Sequence, residues 1–556
     1  MSSGTPLLRS DHQMSQILLH STNVEQRGKP VVLTLSQSHI LINNVDSKND
    51  NNLTVTTGGD DNGGHVYSLV DVIGSKAMGS TLQVYCYPKQ DGCCGIGKGM
   101  RKAAHLSFKF TSDADAVHWS SYLAYLLRDL LPAEHPASTS TSTYGTVSST
   151  FTAVVVVPPP PKRYLVFVNP VSGKGQGKIV WKSVEKMFSE AGVELNVVVT
   201  THANHAFATM KIMGLQDALA LDCIVIVGGD GLVYEVVNGI MGREDGRGGE
   251  VLRKVPLAHV GAGTGNGLCK SILFECGEEY SSINASFVSL KGRPKPLDIS
   301  KVDTTSQTQY SFLILGYGLI SDIDIMSESL RCMGEARLYA AAVYFIFKLR
   351  QYRGKLSMHA RQTRPAVDEA AANAPLQAAS IVLGTDVACY ALPPLDQPLP
   401  FDKTTDIETS SSSTSSSSAG AVGGGGRGRT RTSSWQGTTA DLYRWITIES
   451  DFLLVWVVQT SHAAVTMHSG PGARLDDGVF TIFVVESASR CEMLQLLIQI
   501  DNGEHINHPK VQMFKANAYR LEPKTSDGLY TLDGENVEMG PIQGTLLPGL
   551  ARVMKT

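Results

Sequence analysis

An α/β lobe followed by a mostly antiparallel β lobe, with a small β domain ahead of both, is the architecture this sequence predicts. Three observations carry that expectation. Apolar runs alternate with amphipathic helical stretches between residues 162 and 296, the signature of a mostly parallel sheet with helices packed on it. Past residue 297 the apolar runs become short and separated by turns, as in antiparallel sheets. Three glycine clusters lie directly behind apolar runs of the alternating stretch, where an open parallel sheet turns its strands' C-terminal ends toward ligands.

Residues 28–131 contain the β-like runs "PVVLTLSQSHILI", "HVYSLVDVIG", "STLQVYCYP" and "HLSFKFT". They close with "SDADAVHWSSYLAYLLRDLL", where Ser112 or Asp113 can cap a helix. Ala116, Trp119, Leu123 and Leu126 or Leu127 then recur on one helical face. A strand meander closed by one amphipathic helix with a buried Trp resembles a pleckstrin-homology-like (PH-like) domain. The polar stretch 44–64 reads as a loop within it, and 132–161, ending in "PPPP", as an extended linker.

In the lobe 162–296, "RYLVFVNP", "ELNVVVTT", "CIVIV" and "PLAHVGAGT" are predicted strands. "KIVWKSVEKMFSEAG", "HAFATMKIM" and "LVYEVVNGIM" are predicted helices between them. The β lobe, 297–556, carries "YSFLILGYG", "ASIVLGTDVACYAL", "DFLLVWVVQT" and "GVFTIFVVE", interrupted by helices near 325–352 and 488–500. Residues 403–440, with "SSSTSSSS" and "GGGGRGRTRTSS", cannot bury a core and read as a disordered insertion.

Over 556 residues, 48 Lys and Arg stand against 52 Asp and Glu, a net charge of −4. That balance excludes wholesale nucleic-acid binding, which needs a concentrated basic field. The nine cysteines are scattered and form no CxxC pair, the usage of a reducing compartment. "MSSGTPLLRSDHQMSQ" lacks the apolar core of a signal peptide. No run approaches the roughly 20 apolar residues of a membrane span. A cytoplasmic protein, able to associate peripherally with a membrane, is expected.

The glycine clusters are where chemistry is expected. In "NPVSGKGQGK" (169–178), Gly173, Gly175 and Gly177 let backbone approach an anion, ahead of a helix beginning near Lys178. It is not a Walker A loop, because Ile179 follows Lys178 and Ser172 fills the first glycine position. "GGDG" (228–231) ends a strand in a turn carrying Asp230 and starts a helix at once. "GAGTGNG" (261–267) leaves Thr264 and Asn266 as small polar donors beside exposed amides. One glycine turn behind a strand is common packing; three at one sheet edge point to a nucleotide.

The motifs "NPxSGKG", "TTxxxHA" (200–206), "GGDGLVYEVVNG" and "GTGN", in this order, resemble the diacylglycerol-kinase catalytic domain superfamily. "GYGLISDIDIMSESLRCMGEARLYA" (316–340), "YRGKL" (352–356), "YRLEP" (519–523) and "LDGE" (532–535) narrow the resemblance to eukaryotic sphingosine (long-chain-base) kinases. The likeness covers about residues 162–556 apart from the insertion. It implies that Asp230 is the catalytic base. It places Asn169, Ser172, Gly173, Lys174, Thr200, Gly229, Thr264, Gly265 and Asn266 at the ATP site, with Arg331 and Arg337 near phosphates. It also brings Asp533, Gly534 and Glu535 of the terminal segment to the nucleotide. Mg²⁺ is implied as a companion of ATP, with a hydrated contact through Asp533 and Glu535; a plain hairpin turn is the alternative for "DG".

On a helix from about Ile323, Asp324 and Glu328 are four residues apart on one face, with Arg331 a turn further. Carboxylates beside an apolar cleft suit a cationic amine, and the resemblance places Asp324 at an amino-alcohol head. "LYAAAVYFIFKL" (338–349) would enclose an acyl tail, or simply pack in the core. "RGRTRTSSW" places basic residues ahead of Thr432, Ser433 and Ser434, the pattern of a basophilic protein kinase's target. Cys93 and Cys94, flanked by glycines, are acylation candidates. The expectation is an ATP-dependent lipid kinase that phosphorylates the primary hydroxyl of sphingosine or a related long-chain base, giving sphingosine 1-phosphate. The alternatives are a ceramide or diacylglycerol kinase, a soluble-substrate kinase with a related loop such as NAD kinase, and a catalytically inactive membrane-associated scaffold.

Overall fold

The computed structural model describes residues 18–44, 65–92, 97–129, 157–329, 336–363, 392–399, 444–526 and 528–556. The candidates Cys93, Cys94, Arg331 and Thr432 to Ser434, the insertion 403–440 and most of the strand expected around 379–392 lie outside these residues. The chain divides into two compact units, Met1–Lys295 with Ala551–Thr556, and Pro296–Leu550.

The first unit opens with seven antiparallel strands: β1 (Leu18–Gln26), β2 (Lys29–Ser36), β3 (His39–Asn44), β4 (His65–Ser68), β5 (Val72–Met78), β6 (Thr81–Cys86) and β7 (Ala104–Lys109). Their order in the sheet is β4-β3-β2-β1-β7-β6-β5. Alternation along the strands sends Leu33, Leu35, Ile40, Leu82, Val84 and Phe108 to one core. Helix α1 (Asp113–Leu126) covers that core with Ala116, Trp119 and Leu123. Its cap is Ser112, whose Oγ accepts the Asp115 N–H at 3.1 Å. Strand β1 starts ahead of the expected boundary at residue 28. Its polar sequence "LLHSTNVEQ" gave no apolar run, yet it pairs with β2 from Leu18 to Gln26.

The same unit continues through β8 (Arg163–Val168), α2 (Ser172–Glu190), β9 (Glu194–Val199), α3 (His205–Ile212), α4 (Leu215–Leu219) and β10 (Cys223–Gly228). Next come α5 (Asp230–Met241), α6 (Gly248–Lys254), β11 (Leu257–Gly261), α7 (Gly267–Glu275) and α8 (Ser282–Lys291). Strands β11, β10, β8 and β9 lie side by side, all parallel. Every residue of β10 is buried, as expected for a parallel strand covered on both faces.

The N-terminal sheet is tied to this α/β portion by buried charge. Arg101 Nη2 donates to Glu278 at 2.8 Å, Nη1 to Asp71 at 2.7 Å and to the Tyr87 carbonyl at 2.6 Å. The guanidinium stacks 3.5 Å from the Phe287 ring centroid. Tyr87 Oη donates to Glu190 at 2.6 Å.

The second unit holds β12 (Arg293–Asp303), β13 (Thr308–Ser311), β14 (Ile314–Gly318), α9 (Leu319–Ser329), α10 (Ala336–Lys348), β15 (Tyr352–Thr363), β16 (Arg444–Phe452) and β17 (Leu454–Val458). It continues with β18 (Phe480–Val485), α11 (Arg490–Gln499), β19 (Gln512–Pro523), β20 (Tyr530–Leu532), β21 (Glu535–Val537) and β22 (Ile542–Lys555). Within it β14–β17, β17–β18, β18–β19, β15–β16 and β15–β19 all pair antiparallel. Helices α9, α10 and α11 pack Ile320, Ile323, Ala341, Ile346, Met493 and Leu496 against Leu454, Trp456 and Phe483 of the sheet. The other side of α10 leaves Val343, Tyr344 and Phe347 exposed. The insertion falls between β15 and β16, which pair directly from Tyr352↔Phe452 to Ala360↔Arg444. Because loop-closure entropy grows only logarithmically, such a hairpin tolerates a long excursion. Strand β12 begins and β22 ends among residues of the first unit, where Val553 pairs with Leu257.

Candidate active site

Parallel strands β8, β10 and β11 are neighbours, so the three glycine loops that follow them emerge at one sheet edge. The backbone contacts are too close for side chains. A Cβ on Gly173 would lie 2.4 Å from the Ala262 carbonyl oxygen, and one on Gly263 would lie 2.5 Å from the Gly229 Cα. Ser172 Oγ accepts the Gly229 N–H at 3.2 Å. Each loop thus touches the other two.

Gly173, Lys174 and Gly175 all take left-handed conformations, with φ of 54°, 62° and 88°. The regular part of α2 starts after that turn, close to where the sequence placed it. Neither α2 nor α5 has a side-chain cap at its first residue. Part of each start is already bonded, Ser172 and Gly175 N–H to the Asn169 and Val171 carbonyls at 3.3 Å each and Leu232 N–H to the Gly229 carbonyl at 3.1 Å, but no cap side chain competes there with an anion. Lys174 is exposed, as is Thr264, while Gly265 and Asn169 are half-buried. Thr200, directly after β9, is buried and its N–H donates to the Val168 carbonyl at 2.8 Å.

Asp230 is the first residue of α5 and only 8% exposed. Its carboxylate reaches across to the third loop, accepting the N–H groups of Gly267 (2.9 Å) and Leu268 (3.1 Å). It therefore caps α7, and the cap fixes where its remaining lone pairs point. Asn266 does not act as the outward donor expected from the sequence. It is buried at φ 59°, and its amide closes on Gly263, accepting from the N–H and donating to the carbonyl, both at 2.8 Å. The residue staples the loop.

His259 of β11 gave no signal within its apolar run. Its Nε2 lies 3.0 Å from the Gly228 carbonyl, which can only accept, so Nε2 carries the proton. Nδ1 lies 3.9 Å from Asp230 Oδ1 with no hydrogen-bond partner. Burial holds the imidazole below the usual histidine range, against the pull of the Asp230 carboxylate. A neutral histidine therefore backs the aspartate.

In the second unit, Asp324 and Glu328 lie four apart on α9 as expected, with Asp324 half-buried. The side chains of Glu328 and Arg337 lie outside what is described. Asp322, two residues before Asp324 and buried, was not singled out by the sequence pattern. It accepts the Tyr352 hydroxyl, and burial pushes its carboxyl upward. Asp533 and Gly534 (φ 53° and 87°) form a two-residue turn between β20 and β21, which is the hairpin alternative. The Asp533 carboxylate is already filled. It accepts Ser311 Oγ at 2.7 Å and the N–H groups of Phe312, Leu313 and Ile314 at 3.0, 3.0 and 2.9 Å. Asp533 therefore does not fit the expected contact to a hydrated Mg²⁺, whereas Glu535 is exposed. Among the described residues no group of three or more His, Cys, Asp or Glu side chains is arranged to hold a metal.

Residues 163–302 match the diacylglycerol kinase catalytic domain, and residues 445–555 match the YegS C-terminal NAD kinase beta sandwich-like domain. Sphingosine kinase 2 of Homo sapiens is 28% identical over 558 residues, covering 85% of this chain and 81% of that protein. Sphingosine kinase 1 of Arabidopsis thaliana is 29% identical over 388 residues, covering 68% and 69%. The crystal structure of a diacylglycerol kinase from Bacillus anthracis str. Sterne aligns with 71% of this chain and 97% of its own, at 16% identity and TM-score 0.40.

Proposed function

This chain belongs to the superfamily built on the diacylglycerol-kinase catalytic domain, and on that premise we propose that it transfers the γ-phosphoryl group of ATP to the primary hydroxyl of a sphingoid long-chain base. The observation that carries the proposal is the mutual contact of three glycine loops around Asp230. Phosphoryl transfer asks a protein mainly for positioning and charge stabilisation. The starts of α2 and α5, which carry no side-chain cap, with Lys174 and Thr264 at the rim, supply these for the nucleotide phosphates. Asp230 accepts the hydroxyl proton as the new O–P bond forms, held in place by Gly267 and Leu268. Mg²⁺ would arrive on the nucleotide phosphates and keep most of its waters, since the described residues offer no protein cage for it.

A free long-chain base has an amine; ceramide and diacylglycerol do not. Helix α9 supports the amine reading through Asp322 more directly than through Asp324. Asp322 is a buried carboxylate that accepts a neutral phenol, so a cationic amine is its natural complement. The seven-stranded sheet closed by one helix supports the PH-like reading of the N-terminal domain. No helix among the described residues is long and apolar enough to cross a membrane, and we read contact with lipid as peripheral.

The test is transfer of labelled γ-phosphate from Mg-ATP to sphingosine, phytosphingosine, ceramide and diacylglycerol. Asp230→Asn, Asp322→Asn and Asp324→Asn are run beside wild type. Label on free bases alone, reduced on the order of 10²–10⁴-fold in Asp230→Asn, is expected for a lost general base. Label on ceramide or diacylglycerol would overturn the amine assignment. ATP binding without transfer to any lipid would favour a scaffold.

A further inference from the structure

At the opposite end of β8 from the glycine loops, the first unit forms a half-open cavity of about 320 Å³. Its walls are β5 and α1 of the N-terminal sheet, the proline run before β8, the Ala191–Val193 turn and the end of α8. Six residues of β8 separate it from Asn169, which at about 3.3 Å per residue is roughly 20 Å. The cavity is therefore distinct from the candidate active site.

Three half-buried cations line it: Arg128 past α1, Lys162 ahead of β8, and Lys291 at the end of α8. Two of them donate to neutral carbonyls. Lys291 Nζ donates to the Leu69 carbonyl at 3.1 Å and Arg128 Nη1 to the Pro160 carbonyl at 2.5 Å. Two of the three carboxylates nearby are paired with other cations, and the third accepts a backbone N–H. Asp71 holds Arg101 at 2.7 Å, Asp129 pairs with Arg293, and Asp222 accepts the Arg163 N–H at 2.7 Å. Burial, together with neighbouring Lys162 and Arg101 and against Asp129 and Asp71, pushes the Lys291 ammonium down to about 8. Burial and Arg128 push Lys162 down in the same way, against Asp222 and Asp129. The Asp222 carboxylate faces Lys162, but three cations share that one carboxylate, so folding has gathered an excess of positive charge in a half-open cleft.

We infer that this cavity binds a phosphate-bearing anion, either free or as a lipid headgroup, through Arg128, Lys162 and Lys291. The apolar wall of Ile73, Leu127 and Leu290 accommodates the carbon body of an ester. Because both the N-terminal sheet and the α/β portion line the cavity, the anion would clamp one to the other.

Reductive methylation of the full-length protein, read by mass spectrometry, tests this at the residues themselves. Inorganic phosphate at ten times its dissociation constant should slow labelling of Lys162 and Lys291 about tenfold, since only the unoccupied fraction reacts. Exposed Lys182 serves as the unaffected reference. Lys162→Gln/Lys291→Gln protein should lose any phosphatidic acid-dependent vesicle binding that wild type shows, while keeping its melting temperature without anion. Sedimentation with phosphatidylcholine vesicles, with and without phosphatidic acid, separates the two sources. Protection by free phosphate alone assigns a soluble ligand, and binding to phosphatidic acid vesicles that the double variant loses assigns a headgroup. Unchanged labelling of Lys162 and Lys291 with both probes would overturn the inference, as would vesicle binding by wild type that the double variant keeps in full.

Discussion

Replacing Arg101 with alanine should loosen the N-terminal sheet from the α/β portion, and the size of the effect can be worked from the contacts. The Arg101 and Glu278 side chains are 4% and 3% exposed. The guanidinium donates three bonds to Glu278, through Nε at 3.2 and 3.1 Å and Nη2 at 2.8 Å. Removing one partner of a buried pair costs about 3–5 kcal/mol, because the other charge stays in a poor environment. Glu278 keeps Lys89 at 3.1 Å, a side chain 40% exposed, and Asn284 Nδ2 at 2.9 Å. The cost should therefore fall at the lower end, about 3 kcal/mol. Urea unfolding followed by tryptophan fluorescence and by hydrogen exchange in β6 and β7 would measure it. A cycle of Arg101→Met, Glu278→Leu and both together should give a coupling of about 2 kcal/mol, the double variant being nearer wild type than either single one. Single losses below about 1 kcal/mol, or additive losses, would refute the view that this pair fastens the two portions.

Gly173→Ala should raise the KM for ATP on the order of tenfold or more, since its Cβ meets the Ala262 carbonyl at 2.4 Å and displaces a phosphate loop. Gly175→Ala, at φ 88° but with nothing within 4 Å, should cost only about 1–2 kcal/mol of stability; equal KM effects would sink the distinction. Asp533→Ala leaves one hydroxyl and three N–H donors buried without an acceptor, and a loss of about 3 kcal/mol or more in urea melts is expected. Burial raises both Asp298 and Asp533 to about 6, from about 4 in an unfolded chain. Folding favours their protonated forms, so their stabilising contribution is complete below about pH 4 and is lost as the pH rises through about 6. Urea midpoints for wild type and for Asp298→Asn/Asp533→Asn should therefore differ by an amount that changes across that window; a constant difference would show that neither group titrates there.

The parallel strands were legible because burial on both faces writes them as continuous apolar runs, as "CIVIV" does for β10. Helices α6, α7 and α8 were not. Helix α7 starts inside a glycine cluster that reads as loop, and α8 buries Ser286 and Ser289 along with Phe287 and Val288, leaving no polar stripe to mark a helix. Asp230 was found from its local turn, but its acceptor role toward α7 is tertiary. The same holds for Asp533, whose donors lie 219–222 positions away. A lone histidine in an apolar strand carries no sign of what its ring will face, which is why His259 went unseen. Asp322 was hidden by its neighbour Asp324, since periodicity alone does not say which of two alternate carboxylates turns inward.

The pairing of Leu257 with Val553 has a consequence for biosynthesis. During translation β8 to β11 emerge early and can assemble, but β11 then remains an open edge. Its remaining neighbour, Val553, follows 296 positions later, after the whole second unit has been made. A nascent chain thus carries an unfinished edge of "LAHVG" while the whole second unit is being made, a template for pairing with other chains. Variants that slow folding of residues 296–550 should therefore first show themselves as aggregation of the α/β portion, although their own sites lie elsewhere.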